Sequence, residues 1–116
     1  MKLALVLLVA LGCAANTRHK TIAASLVAVD TATTAFLAFD GQHEIDIAHN
    51  APDRPTVESQ IAAWHTERAK VNEMIRVAVK AIAAAATVDD DPTVAGAVSA
   101  VGILASELAK LGVKVP

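Results

Sequence analysis

Residues 50–56 read Asn-Ala-Pro-Asp-Arg-Pro-Thr, and residues 89–92 read Asp-Asp-Asp-Pro. Neither stretch continues a helix, because proline lacks the N–H that a helix interior needs and aspartate and asparagine favour turns. Around these breaks run long alanine-rich segments, with no alternating pattern long enough for a strand. The two breaks therefore divide the chain into three helical segments, and such short connections make neighbouring helices antiparallel.

The first segment is predicted to be a helix from about Arg18 to Ala48. One apolar face recurs at steps of three or four residues, which is the spacing of a helix. Gly41 interrupts this pattern and is a candidate for a bend, because glycine weakens a helix interior. The predicted inner face consists of Ile22, Leu26, Val29, Thr33, Phe36, Phe39, His43 and Ile47.

The second helix is predicted to begin with Thr56 as its N-cap, with Glu58 in the positive first turn. It ends in the alanine run Ala83–Ala86. Its predicted inner face consists of Val57, Ile61, Trp64, Arg68, Val71, Ile75, Ala78 and Ile82.

The third helix is predicted to begin at Asp91 as N-cap, with Pro92 at the first helical position. Gly112 fits the C-cap. The inner face of this helix is predicted to comprise Val94, Val98, Val101, Leu104, Leu108 and Leu111.

The fold class that follows is all-α, an antiparallel three-helix bundle over residues 18–116. A chain of 116 residues has room for one domain. Hydrophobic residues make up 54% of the chain and aromatic residues only 3%, and much of the hydrophobic fraction is alanine. Because alanine side chains are small, the helices must approach one another closely to form a core. Small residues on the third helix, such as Gly96 and Gly102, would let a further helix approach.

Two polar pairs are predicted between the first two helices. Folding the helices about the proline break brings Asp30 near Arg76, and Asp40 near Arg68 or His65. Such pairs are weak as sources of stability but fix the register of two helices.

The charges and cysteines exclude several classes of protein. The formal net charge is −2 and the positive charges are scattered singly, which speaks against nucleic-acid binding. Cys13 is the single cysteine, so no intramolecular disulfide can form.

The first residues have the features of an export signal. Lys2 provides a positive start, and the uncharged apolar stretch Leu3–Leu11 is too short to span a hydrocarbon core of about 30 Å. The stretch leads into Ala10-Leu11-Gly12-Cys13. An alternative interpretation makes Met1–Leu11 the first turns of an apolar helix, with Cys13 packed as a small hydrophobic residue.

The box at residues 10–13 resembles the signal of bacterial lipoproteins. That resemblance implies removal of residues 1–12, a lipid on Cys13 as the new N-terminus, and a lipidated joint at residues 13–17. Because Ala14 stands where lipoproteins of the inner membrane often carry aspartate, it also implies the outer membrane, facing the periplasm.

The histidines are candidate metal ligands, because imidazole binds zinc. The zinc-protease pattern needs two histidines four positions apart with glutamate after the first. After His43-Glu44 the next histidine is His49, six positions on. We therefore expect no metal site, with His43 paired locally with Asp40 or Asp46.

Other sites are expected to be absent as well. No serine lies in a glycine-framed nucleophile elbow. Asp89-Asp90-Asp91 lacks the alternating spacing of a calcium loop. Trp64 is expected in the core in preference to a role as an exposed partner anchor. The sequence thus predicts no catalytic residue and no cofactor.

The function expected from the sequence is that of a small, non-catalytic envelope lipoprotein acting through binding or assembly. In its shortness and alanine content the chain resembles helical lipoproteins of bacteria and their phages. Its expected partners are the membrane, through lipidated Cys13, and either another protein or further copies of itself. The alternative is a structural interaction subunit of a phage particle or membrane complex that keeps its apolar N-terminus.

Overall fold

The computed structural model describes residues 15–115, which form three α-helices and no strand. Helix α1 runs over Ala15–Asn50, α2 over Arg54–Val88 and α3 over Asp91–Lys110. The predicted all-α, three-helix architecture is confirmed. The predictions for residues 1–12 and for Cys13 concern positions outside the described residues.

Helix α2 begins earlier than predicted, because the N-cap is Asp53 and not Thr56. The Thr56 N–H donates to Asp53 Oδ1 at 2.8 Å, so Thr56 lies in the first turn. Hydrogen bonding from Thr56, first from its side chain and then from its N–H, lowers the pKa of the Asp53 carboxyl. The early start places Pro55 in the first turn, where a missing N–H costs nothing.

Helix α3 shows the same arrangement, shifted by one residue from the prediction. Asp90 is the N-cap and accepts from the Thr93 N–H at 2.8 Å. Hydrogen bonding from Thr93, first from its side chain and then from its N–H, lowers the pKa of the Asp90 carboxyl. Asp91, the predicted cap, is the first residue of the helix, where its negative charge faces the positive helix end.

The helix ends are closed by two residues with positive φ. Asp89 (φ 55°) ends α2 and donates its N–H to the Ala85 carbonyl at 2.9 Å. After α3, Gly112 (φ 87°) lets the Val113 N–H reach the Leu108 carbonyl at 2.9 Å. This is a Schellman motif, and it folds the chain back so that Val113 is buried.

The core consists of two clusters along a rod of 58 × 22 × 16 Å. We call the end near the α2–α3 connection the alanine half and the end near the α1–α2 connection the aromatic half. The alanine half is built from Ala28, Val29, Ala78, Ile82, Ala85, Val94, Ala97, Val98 and Val101. The aromatic half is built from Ala32, Phe36, Ile47, Trp64, Val71, Leu104, Leu108 and Val113.

Helix α1 departs from its predicted inner face. Leu26, predicted to lie inside, is 54% exposed, whereas the hydroxyl residues Thr21 and Ser25 are fully buried. The cause is that α1 is apolar on nearly all sides, so the periodicity does not single out one face. The helix is continuous through Gly41.

Candidate functional site

A polar network joins α1 and α2 in the aromatic half. The Trp64 indole N–H donates to Asp40 Oδ1 at 2.5 Å, and Arg68 Nη1 lies 3.4 Å from Asp40 Oδ2. The same Arg68 nitrogen donates to Glu44 Oε1 at 2.7 Å. The structure thus brings together Asp40 and Arg68, as expected, and adds Trp64 and Glu44 to them.

Helical spacing explains why these four side chains meet. Asp40 and Glu44 are four residues apart on α1, and Trp64 and Arg68 are four apart on α2, so each pair shares a face of its helix. A side chain of α1 that contacts Arg68 is therefore also close to Trp64, which lies one turn earlier on α2. That relation was available from the sequence, but Trp64 was interpreted as a core residue or a partner anchor and not as a hydrogen-bond donor to Asp40.

The network contains more acidic than basic side chains and is partly exposed to solvent. The Asp40 side chain is 15% exposed, and the side chains of Arg68 and Glu44 are about one-third exposed. His65 Nε2 lies 3.9 Å from Glu44 Oε1, so a protonated His65 adds a second positive charge. Two carboxylates facing one guanidinium leave a net negative charge at neutral pH.

His43 joins an aromatic group and not the local carboxylates that the sequence suggested. Its ring lies 4.3 Å from the Trp64 ring and stacks on Phe39 at 5.4 Å with an interplanar angle of 13°. Asp46, its expected partner, accepts a hydrogen bond from Gln42 at 2.8 Å. His43 therefore extends the aromatic core outward to the surface.

A shallow groove of about 390 Å³ lies beside this aromatic group. It is found where α1 and α2 continue beyond the end of the shorter α3. Glu67 supplies its only charge, and the groove is wide open to solvent. The lining residues are His43, Ile47, Gln60, Ala63, Trp64 and Glu67.

The predicted pair of Asp30 with Arg76 does not form. Arg76 donates a hydrogen bond to Glu73, which lies three residues before it on α2. The distance between Arg76 Nη2 and Glu73 Oε1 is 2.5 Å. Asp30 is exposed on the far side of α1. The prediction assumed an inner face that included Leu26, and the actual rotation of α1 carries Asp30 outward with it.

A second ionic cluster closes the other end of the rod. Arg18 Nε lies 3.1 Å from Asp89 Oδ1, and Arg18 Nη1 lies 3.3 Å from Asp91 Oδ1. The hydrogen bond that Arg18 donates to Asp89 raises the pKa of Arg18 against the opposing effect of desolvation. From the sequence, the three aspartates were not expected to form a calcium loop, and their contact with the start of α1 was not predicted.

An ion pair joins helices α2 and α3. Lys70 Nζ lies 3.0 Å from Glu107 Oε1, and this hydrogen bond raises the pKa of Lys70. The Glu107 side chain is only 12% exposed, which makes it the most enclosed carboxylate among the ion pairs between residues 16 and 115. The pair fixes the register of α2 and α3 beside the aromatic half.

Between residues 15 and 115 no three side chains suited to metal binding come together. Ser25 is the one buried serine, and its Oγ has no hydrogen-bond partner in that part of the chain. The expectation that the chain is not an enzyme stays a prediction.

The most unusual surface is the outer face of α1, defined as the solvent-facing stripe of that helix. Its large aliphatic members Val27 and Leu37 are 65% and 62% exposed. Asp30 supplies its only charge. The full stripe is Ala23, Leu26, Val27, Asp30, Thr34, Leu37, Ala38, Gly41, Ile45 and Ala48.

Two helices are long and apolar enough to cross a membrane when judged by length and composition, namely α1 and α3. Core helices and signal sequences meet the same criterion, so this agrees only weakly with membrane association. Comparison with known proteins adds no relative: no family model, curated protein or solved structure matches the chain.

Proposed function

We propose that this protein is a small, non-catalytic lipoprotein of the bacterial envelope, tethered through Cys13 and acting by binding or assembly. The observation that carries the binding role is the outer face of α1. Soluble helices normally present a polar surface to water, whereas this one exposes Leu26, Val27, Leu37 and Ile45. Exposed apolar surface of this kind is typical of contact sites.

The lipid anchor is supported by the residues at positions 10–13. Ala15, the first residue of α1, follows Cys13 by two positions. A lipid on Cys13 would therefore lie at the end of the rod where Arg18 meets the α2–α3 connection. The aromatic half would then point away from the membrane, about 50 Å along α1.

Acyl chains on Cys13 would hold the protein firmly at a membrane. Each buried CH₂ group contributes about 0.8 kcal/mol, and a stable anchor needs more than one chain. The three acyl chains implied by the lipoprotein resemblance meet that requirement. The proposed location is the outer membrane, on its periplasmic side.

The test is to express the full chain in a Gram-negative host and measure its intact mass after membrane extraction. We expect loss of residues 1–12, a gain of acyl mass on Cys13, and sedimentation with the outer membrane. The control variant Cys13→Ala should keep Met1 and carry no acyl mass.

A wild-type chain that retains Met1 and lacks acyl groups would contradict the anchor. That result would favour the alternative, a structural interaction subunit that keeps its apolar N-terminus. The binding role is tested separately, through the surface of α1, as described next.

A further inference from the structure

We propose that the outer face of α1 binds the outer face of α1 in a second copy of this chain. This inference deepens the proposed binding role by naming its partner. It begins from the spacing of the exposed residues. Positions 23, 27, 30, 34, 37, 41, 45 and 48 follow one another at steps of three and four, which is the seam spacing of paired helices.

The distribution of residues around α1 supports a covered outer face. In the alanine half, α1 turns Thr21, Ser25, Ala28 and Val29 inward and leaves the larger Leu26 and a second valine, Val27, in solvent. Hydrophobic burial would favour the reverse arrangement in an isolated rod. A second helix on the outer face removes that conflict, because the larger aliphatic side chains are then buried as well.

The charges beside this face are complementary to each other. Asp30 and Lys114 line one groove on the surface of α1, together with Thr34 and Ala38. Within residues 16–115, neither Asp30 nor Lys114 forms an ion pair. A two-fold contact presents the same patch from both copies, so Asp30 of each copy can meet Lys114 of the other.

A lipid bilayer fits this face less well than a protein does. Asp30 lies near the middle of α1, and an aspartate at the centre of a membrane-spanning helix costs about 2.5–3.5 kcal/mol. After Lys20 the charges of α1 are all acidic, whereas helices that lie on membranes carry lysine and arginine beside the apolar face. A second copy supplies a cation that lipid does not.

The size of the face indicates a weak dimer, because it is smaller than a standard stable interface. From Ala23 to Ala48 the stripe is about 38 Å long and about 10 Å wide, hence about 400 Å². A standard stable interface covers about 800 Å² on each partner. The dimer population should therefore depend on concentration, which tethering both copies to one membrane would raise.

The first test is cross-linking of single-cysteine variants of the full chain in cells. In a Cys13→Ala background, Thr34→Cys places a thiol at the centre of the stripe, and Asn72→Cys places one on the exposed side of α2. With a short bis-maleimide we expect about tenfold more dimer from Thr34→Cys. Equal yields from the two variants would overturn the proposal, as would a product of Thr34→Cys with a different protein.

The second test exchanges the two charges in the Thr34→Cys chain. Asp30→Lys and Lys114→Asp should each lower the dimer yield several-fold, because each creates a like-charge contact across the interface. The double variant should recover the yield. If the double variant stays as low as the single variants, pairing with a second copy is ruled out.

These tests do not depend on the lipid. The Cys13→Ala background removes the acylation site, so dimers can be found even if the anchor is absent. Conversely, an acylated wild-type chain whose Thr34→Cys variant gives no excess dimer would support the lipoprotein and contradict the self-association.

Discussion

The two halves of the rod are built from the same three helices but solve the packing problem differently. The aromatic half is filled by Phe36, Trp64, Leu104 and Leu108, with Asp40 bonded to the indole. The alanine half has no aromatic ring and is filled by four alanines, four valines and one isoleucine. Large rings fill space and demand specific partners, whereas alanines require the helix backbones to lie close. The halves should therefore fail under opposite kinds of substitution.

The largest effect is expected at Trp64, in the aromatic half. Trp64→Ala should lower the free energy of unfolding by about 3–5 kcal/mol, because it removes a buried ring that contacts Phe36, Phe39 and His43. Denaturant unfolding followed by circular dichroism measures this. Trp64→Phe keeps a ring and should lose less. A loss below about 1 kcal/mol for the alanine variant would show that the ring is not a core element.

The alanine half should be sensitive to added volume. Ala85 is fully buried, so Ala85→Leu should destabilise the bundle by about 1–3 kcal/mol through overpacking. The matched control is Ala84→Leu, at the exposed neighbouring position on α2. Thermal unfolding of the two variants gives the comparison, and similar midpoints would contradict close packing of this half.

The polar network should contribute less to the free energy of unfolding than the Trp64 ring to which it is hydrogen-bonded. Asp40→Ala leaves the Trp64 N–H without its acceptor, while Arg68 keeps Glu44. We expect a loss of about 1–2 kcal/mol in unfolding free energy. Asp46→Ala is the control, because Asp46 is exposed and bonds only Gln42 in the described chain. Equal stability of the two variants would remove Asp40 as a structural residue.

A change of opposite sign is expected at Ser25, in the alanine half. Its hydroxyl is buried without a partner, so Ser25→Ala should raise the unfolding free energy by about 1 kcal/mol. Ser99→Ala, on the exposed side of α3, should gain only the smaller difference in helix propensity. Unfolding in urea distinguishes the two, and a destabilised Ser25→Ala would mean that the hydroxyl has a partner.

The smallest effect is expected from the helix caps, of which each half has one. Because hydrogen bonds lower the pKa of Asp53 and Asp90 in the folded chain, their contribution is complete above the ordinary aspartate pKa of about 4. This contribution to stability is lost as the pH falls through the lowered pKa values that the two aspartates have in the folded chain. Thermal midpoints measured from neutral to acid pH should fall less steeply in the double variant Asp53→Asn, Asp90→Asn, since asparagine caps without ionising. An unchanged slope would contradict the assignment.

The sequence predicted α2 and α3 well because each has one apolar stripe. As expected, α2 buries Trp64, Val71, Ala78 and Ile82. Helix α3 likewise buries five residues of its predicted inner face, namely Val94, Val98, Val101, Leu104 and Leu108. The caps were misassigned because a capping aspartate bonds three residues onward, and in both loops several turn formers compete.

Helix α1 was predicted less well, and the polar sites depended on it. A helix with apolar residues on all sides has several stripes of equal quality, so Leu26 was placed inside and Asp30 beside Arg76. The Asp40 and Arg68 contact was found because Phe36 and Ile47 lie on the true inner face nearby. The Arg18 cluster needed knowledge of where the helix ends meet in space, which periodicity does not supply.

The hydrogen-bonded indole of Trp64 has one further consequence, since it is the only tryptophan of the chain. Its fluorescence reports on the aromatic half without any label and carries no direct signal from the alanine half. Circular dichroism, in contrast, averages over all three helices. If the two probes give the same melting curve, the rod unfolds as one cooperative unit, and if emission changes first, the end with the rings opens by itself.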